Sequence, residues 1–378
     1  MTIVVEISAT GTSRVRPRRQ DGSGSTRPGA RRVSRPLVVA LVILLALAGS
    51  GVGAVWWLQR SLVGNIESLG DPISDVGPSG GGAAAPGAAA DPTTPADAAA
   101  DGAMDLLVLG SDSRISAGDP SQWEVGAQRT DTIMLVHVPA DRQGVVVTSI
   151  PRDSWVDIPG HGQGKINAAF SYGGPALTIE TVTALTGVEI DHVVTTDLES
   201  FETITDALGG VQLTLQEDLV VGDTVVPAGK HRLLTGEQAL AFVRERKNLP
   251  RGDLDRVQRQ QAWVRAMVAK VRNDGTLRNP LSAHRLLDTV TSSIAADDGF
   301  DAGVVDDLRS LATDLGSNDI VFLTAPTLGT GTSPDGQSIV ELDRPALETL
   351  MASVRDDTVV EHVASNPDAY DLLPAVVE

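Results

Sequence analysis

"DTIMLVHVPADRQGVVVTSI", residues 131–150, decides the fold. Two apolar runs, 131–138 and 144–150, are rich in Val, Ile and Thr, which fit a pleated and buried surface. The connection between them, Pro-Ala-Asp-Arg-Gln, is short and polar. The stretch therefore predicts an antiparallel hairpin. Working outward, "MDLLVLG" at 104–110 reads as another buried strand. Helical patterns follow at 175–186, 198–208, 236–246 and 253–272, with shorter strands at 189–195 and 211–215. Further on, 301–315 reads as helix, "DIVFLTAP" as strand and 344–356 as helix. The mixture predicts an α/β fold: a central mixed sheet that contains antiparallel strands, flanked by helices on both faces.

Around this domain the chain changes character. Residues 37–58, "LVVALVILLALAGSGVGAVWWL", carry no charge. A helix of that length rises about 33 Å, enough to cross a bilayer core of about 30 Å. Eight arginines lie in residues 1–35, and Trp56 and Trp57 close the apolar run. The pattern predicts an N-terminal transmembrane helix with residues 1–36 as a disordered basic tail in the cytoplasm. Residues 59–103 read as an extracellular linker whose later part is low-complexity Gly, Ala and Pro. The domain core is expected over 104–272, its C-terminal continuation over 273–356, and a weakly patterned tail over 357–378.

The net charge of the 378 residues is −19, and the basic start leaves −25 on the remainder. An exported surface of that sign repels nucleic acid, so no nucleic-acid partner is expected. There is no cysteine, which excludes disulfides and thiolate metal sites. Gly-x4-Gly-Lys-Ser/Thr and Gly-x-Ser-x-Gly are both absent, so neither a P-loop nor an acyl-transfer serine is indicated.

The charges that remain fall at strand ends. Asp112 and Arg114 follow the first strand, Arg129 and Asp131 open the second, and Arg152 and Asp153 follow the third. If all three strands run antiparallel to their neighbours, these six residues converge at one sheet edge. A second group lies in "FVRERKNLPRGDLDRVQRQ", 242–260. Just before it, Thr235 to Gln238 has capping-box spacing and opens a helix that ends with Arg244 and Arg246. Gly252 or Asp253 opens the next helix, on which Arg256 and Gln260 share a face near the N-terminus. Carboxylates paired with guanidinium forks suit a hard divalent cation and a pyrophosphate.

Seven ordered blocks carry a resemblance: "LLVLGSDSR", "RTDTIMLVHV", "SIPRDSWVDIPG", "KINAAFSYGG", "DHVVTTDLESFETITDALGGV", "LTGEQALAFVRER" and "GDLDRVQRQQ". The sequence resembles the LytR-CpsA-Psr family of cell-envelope proteins, closely over 104–272 and loosely beyond. The resemblance implies a membrane-anchored phosphotransferase with its catalytic domain outside the cell. Such an enzyme moves a glycopolymer from a polyprenyl-pyrophosphate lipid onto peptidoglycan by a phosphodiester. It implies Asp112 and Asp131 as ligands of Mg²⁺, with Mn²⁺ as the alternative ion. Arg129, Arg152, Arg244, Arg246, Arg256 and Gln260 match residues that face the pyrophosphate. Arg114, Asp153, Lys165, Asn167 and Asp253 fall within the family's motifs, and Asp131 or Asp153 is a candidate general base. A hydrolase acting on the same pyrophosphate would use the same residues. A non-enzymatic envelope regulator would not need them.

Overall fold

A computed structural model describes residues 64–74, 102–111, 130–245, 249–276, 279–315 and 319–377. The expected tail 1–36, membrane helix 37–58 and most of the linker lie outside the described residues. Among the described residues no helix is long and apolar enough to cross a membrane.

In chain order the first strands are β1 (Glu67–Ser68), β2 (Met104–Ser111), β3 (Thr130–Val138), β4 (Val145–Ser149), β5 (Trp155–Ile158), β6 (Gly162–Lys165) and β7 (His192–Asp197). Next come β8 (Val211–Leu215), β9 (Leu219–Val221), β10 (Thr224–Val226), β11 (Gly229–Leu234) and β12 (Ile294–Ala296). The last are β13 (Ile320–Thr324), β14 (Thr327–Thr332), β15 (Ser338–Leu342) and β16 (Asp371–Leu372). The helices are α1 (Asn167–Thr186), α2 (Leu198–Ala207), α3 (Gly236–Arg244), α4 (Asp253–Asn273), α5 (Pro280–Thr291), α6 (Ala302–Asp314), α7 (Arg344–Arg355) and α8 (Val359–Ser365).

Among the described residues, eight strands form one sheet in the order β1-β12-β7-β2-β3-β4-β13-β16. The hairpin read from 131–150 is its centre: β3 pairs antiparallel with β4 and with β2. Parallel neighbours flank it, β7 beside β2 and β13 beside β4. Alternate residues along each strand face opposite sides. Leu107, Leu109, Ile133, Leu135 and Val146 pack against α1, α7 and α8 on one face. Leu106, Met134, Val145, Val147 and Phe322 pack on the other, where α6 contributes Val304 and Leu308. Burial on both faces is why these strands read as continuous apolar runs. A third cluster joins β8, β9 and β11 to α3 and α4 around the buried Trp263, whose indole N–H donates to Thr205 Oγ1 at 2.9 Å.

The helix expected from 175 begins at Asn167 instead and bends at Gly173 and Gly174, just before Pro175. Gly174 sits at φ 62°, a conformation open to glycine, so the Gly-Gly-Pro that looks like a helix start is a kink inside one. Two further expectations are corrected. Residues 64–74, read as linker, supply β1, which pairs with β12, and Leu69, which enters the core. Residues 357–377, read as a tail, supply α8 and β16 and bury Val359, Val363 and Val377. Both segments are too short to show a period: pairing to the sheet edge holds 64–74, and the same kind of pairing together with the packing of the short helix α8 holds 357–377.

Candidate functional site

The hairpin register sets one edge of the sheet. Ser111 at the end of β2 lies between Thr130 of β3 and Asp197 of β7. Across β3, Met134 pairs with Ser149, so the chain leaving β4 passes Asp131 as it reaches Arg152. Arg152 Nη1 donates to Asp131 Oδ1. The Arg152 Nε lies 3.7 Å from Asp153 Oδ2 and 3.4 Å from Asp253 Oδ1. Lys165, at the end of β6, approaches Asp153 Oδ1 at 3.0 Å. The backbone N–H of Asn167 donates to the Arg152 carbonyl at 3.2 Å, which ties the start of α1 to the same turn.

Helix α4 delivers the other half. Its buried Gln261 donates to Ser149 Oγ at 2.8 Å and to the Leu323 carbonyl at 2.9 Å, docking the helix on the ends of β4 and β13. One turn or so earlier, Arg256 is only 3% exposed, with Nη2 at 2.8 Å from Asp253 Oδ1 and 3.8 Å from Asp131 Oδ1. Gln260 is buried a turn beyond Arg256. Three cations, Arg152, Lys165 and Arg256, thus meet three carboxylates, Asp131, Asp153 and Asp253.

The electrostatics are those of a site with spare capacity. Burial works against the charge on Arg152, but Asp253, Asp131 and Asp153 more than offset it, so its pKa lies above the ordinary value. Burial pushes the Asp253 carboxyl up, against the opposing pull of Arg256 and Arg152. Asp253 Oδ2 is buried with no hydrogen-bond partner among the described residues. An unsatisfied buried oxygen beside two guanidinium groups is costly unless a ligand completes it. It is also a hard donor of the kind that Mg²⁺ accepts.

Of the residues singled out in the sequence, Asp131, Arg152, Asp153, Lys165 and Arg256 come together, with Asn167 and Gln260 buried beside them. Arg244 is exposed in the last turn of α3 and makes no ion pair with the other described residues of the cluster. Asp112, Arg114, Arg129 and Arg246 lie outside the described residues. Sequence reasoning gave Asp253 no role, although it stands at the centre of the cluster. It missed Gln261 altogether, which reads as one more polar residue of "RVQRQQ" until its sheet contacts are seen. Asp371 was also missed. Its carboxylate reaches Arg251 Nη1 and Gln258 Nε2, each at 3.0 Å, from a part of the chain with no pattern to flag it.

The family model for LytR_cpsA_psr matches residues 83–356. The chain belongs to the LytR-CpsA-Psr family. Among LytR-CpsA-Psr relatives it is 32% identical over 361 residues to the cell wall biosynthesis protein LcpA of Corynebacterium glutamicum, covering 84% of this chain and 65% of LcpA. It is 37% identical over 173 residues to the polyisoprenyl-teichoic acid–peptidoglycan teichoic acid transferase TagT of Bacillus subtilis, covering 44% of this chain and 52% of TagT. The chain thus spans about two thirds or less of the length of these relatives. The fold matches a structure of TagT bound to LI-WTA with a TM-score of 0.54 and 27% identity, over 68% of this chain and 91% of that one. The segments 64–74 and 357–377 lie outside the family match.

Proposed function

We propose that this protein is a phosphotransferase that moves a glycopolymer from a polyprenyl-pyrophosphate carrier onto peptidoglycan. One observation carries the reading. Arg152 and Arg256, on elements far apart in the chain, turn their guanidinium groups onto the same two carboxylates, Asp131 and Asp253. Such a cluster can exchange carboxylate partners for phosphate oxygens, which guanidinium binds as well or better. The names of its relatives support the chemistry: one is a teichoic acid transferase and another a cell wall biosynthesis protein.

In this reading an acceptor hydroxyl of peptidoglycan attacks the phosphorus next to the glycan. The new P–O bond forms as the bond to the bridging oxygen breaks, and polyprenyl phosphate leaves. Arg152 and Arg256 hold the charge that grows on the leaving phosphate, in a buried setting where such stabilisation is strong. An aspartate of the cluster takes the hydroxyl proton. Lys165 holds the Asp153 carboxylate in place, while Asp253 keeps one oxygen free of donors among the described residues. Asp131, with Asp112 from the neighbouring motif, would hold Mg²⁺, which supplies further neutralisation at the phosphate oxygens when bound. Residues 37–58 would anchor the chain, with the domain on the outer face.

The test is direct. Full-length protein in detergent is incubated with a lipid-pyrophosphate glycan, peptidoglycan and Mg²⁺, and peptidoglycan is scored for phosphodiester-linked glycan. Transfer that is lost in Arg152→Ala is expected. Release of free phosphorylated glycan with none attached makes the protein a hydrolase, and turnover unaffected by Arg152→Ala removes the site.

A further inference from the structure

The family match ends at residue 356, yet the chain beyond it returns to the charged cluster. We infer that Asp371, on the edge strand β16, is a positioning residue that fixes the first turn of α4 and, through it, the guanidinium of Arg256. The inference rests on the reading of the cluster as a pyrophosphate site.

The start of α4 needs outside support. Its N-cap is Gly252, at φ 62°, and no side chain caps the helix. The first N–H groups of a helix have no partners within it, and a capping oxygen usually supplies one. Here side-chain contacts brace the first turn against the residues before it instead of capping those N–H groups. Asp255, almost fully buried, accepts from the Arg251 backbone N–H and from Arg251 Nε, both at 2.7 Å. The remaining end of the Arg251 guanidinium, Nη1, is held by Asp371 Oδ2 at 3.0 Å. The other carboxylate oxygen, Oδ1, accepts from Gln258 Nε2 at 3.0 Å. One carboxylate therefore ties residues 251 and 258, and Asp253 and Arg256 lie between them.

Asp371 is itself held firmly. It pairs with Thr324 of β13 in the central sheet, and the following Leu373 N–H donates to the Phe322 carbonyl at 2.8 Å. Farther along, Arg265 of α4 donates to the Ala375 carbonyl at 3.3 Å, and Val377 packs in the cluster around Trp263 and Met267. The segment 371–377 thus runs beside α4 and transmits the position of the sheet to the helix. Groups held by rigid elements give a site its precision, and a displacement of about 1 Å can cost about 10²-fold in rate. The Arg251–Asp371 pair is 43% and 39% exposed, so it contributes little to global stability and its removal leaves the fold intact.

The experiment uses the full-length protein in detergent with inorganic pyrophosphate and Mg²⁺ as the probe. Affinity is measured for wild type, Asp371→Ala, Asp371→Glu, Arg251→Ala and the Asp371→Ala/Arg251→Ala double variant. Amide exchange at 253–257 is followed in parallel without ligand. Asp371→Ala is expected to weaken pyrophosphate about tenfold, to speed exchange at 253–257 and to leave Tm within about 2 °C. Asp371→Glu recovers most of the affinity, and the double variant binds no more weakly than Arg251→Ala. Wild-type affinity in Asp371→Ala, or amide exchange unchanged at 253–257, overturns the positioning role. Faster exchange in Asp371→Ala than in wild type, with no pyrophosphate binding by wild type, overturns the reading of the site instead.

Discussion

The two edges of the central sheet carry similar charges and treat them differently. At the edge away from the site, His137 near the end of β3 is 2% exposed and bonded through both ring nitrogens. Nδ1 meets Asp105 Oδ1 and Nε2 meets Asp357 Oδ1, both at 2.9 Å. The remaining oxygen of Asp357 accepts from the Ala140 N–H, and Asp191 accepts from the Asp105 N–H. At the other edge, separations of 3.4, 3.7 and 3.8 Å stand where hydrogen bonds could form, and Asp253 Oδ2 has no donor among the described residues. One cluster satisfies its own polar atoms and holds the fold together. The other leaves Asp253 Oδ2 without a donor among the described residues, which in the proposed reading a ligand completes.

That contrast can be broken by mutation. The largest effect is expected from Arg152→Ala, which removes a cation facing three carboxylates. Transfer of glycan to peptidoglycan should fall about 10³-fold, equivalent to about 4 kcal/mol of transition-state stabilisation, measured as kcat/KM. His137→Ala should do the reverse. It leaves Asp105 and Asp357 without their shared partner, so denaturant unfolding should show a loss of about 3 kcal/mol. Turnover per folded molecule should be unchanged. Equal loss of activity in both variants would abolish the distinction between the edges.

A pH titration sharpens the comparison further. Burial alone would lower the His137 pKa, but hydrogen bonds and charge from Asp105 and Asp357 more than reverse this, so it is raised. The folded protein therefore binds a proton more tightly than the unfolded chain. The stabilisation is complete below the ordinary histidine value of about 6.5 and is lost as pH rises through the folded-state value. Asp105, raised chiefly by its burial, has the same sign in the acidic range: the folded state gives up its proton less readily, so stability declines as pH climbs through that window. In His137→Gln the decline above about pH 6.5 should be reduced to the part due to His192, whose pKa is raised by its hydrogen bond to Asp297. Thermal melts across the pH range supply the check. The smallest effect is expected from Arg244→Ala, an exposed substitution that should change stability by no more than about 0.5 kcal/mol.

The sequence was readable where burial is two-sided and opaque where the backbone alone does the pairing. The runs at 104–110, 131–138 and 144–150 were plain because both of their faces are covered. The hairpin of β5 with "GQGK" and that of "TLGTGT" with β15 were not, since glycine and threonine carry no apolar period. Half of the candidate site followed from hairpin logic: Asp131, Arg152 and Asp153 belong at one edge if the register is right, and the register is as expected. Asp253 was in view but without a role, because its two arginine partners come from different elements. Asp371 could not be inferred, because it lies on a two-residue strand 120 residues from Arg251.

The length of β3 has a practical use. From Asp131 to Val138 the strand extends about 24 Å, so the turn at Ala140 is remote from the charged cluster. Ala140 is exposed, and only its backbone takes part in the contact with Asp357. Because the chain contains no cysteine, Ala140→Cys would create a unique thiol for a fluorophore. Energy transfer from that dye to an acceptor on the lipid substrate would then report docking without touching the groups that perform it.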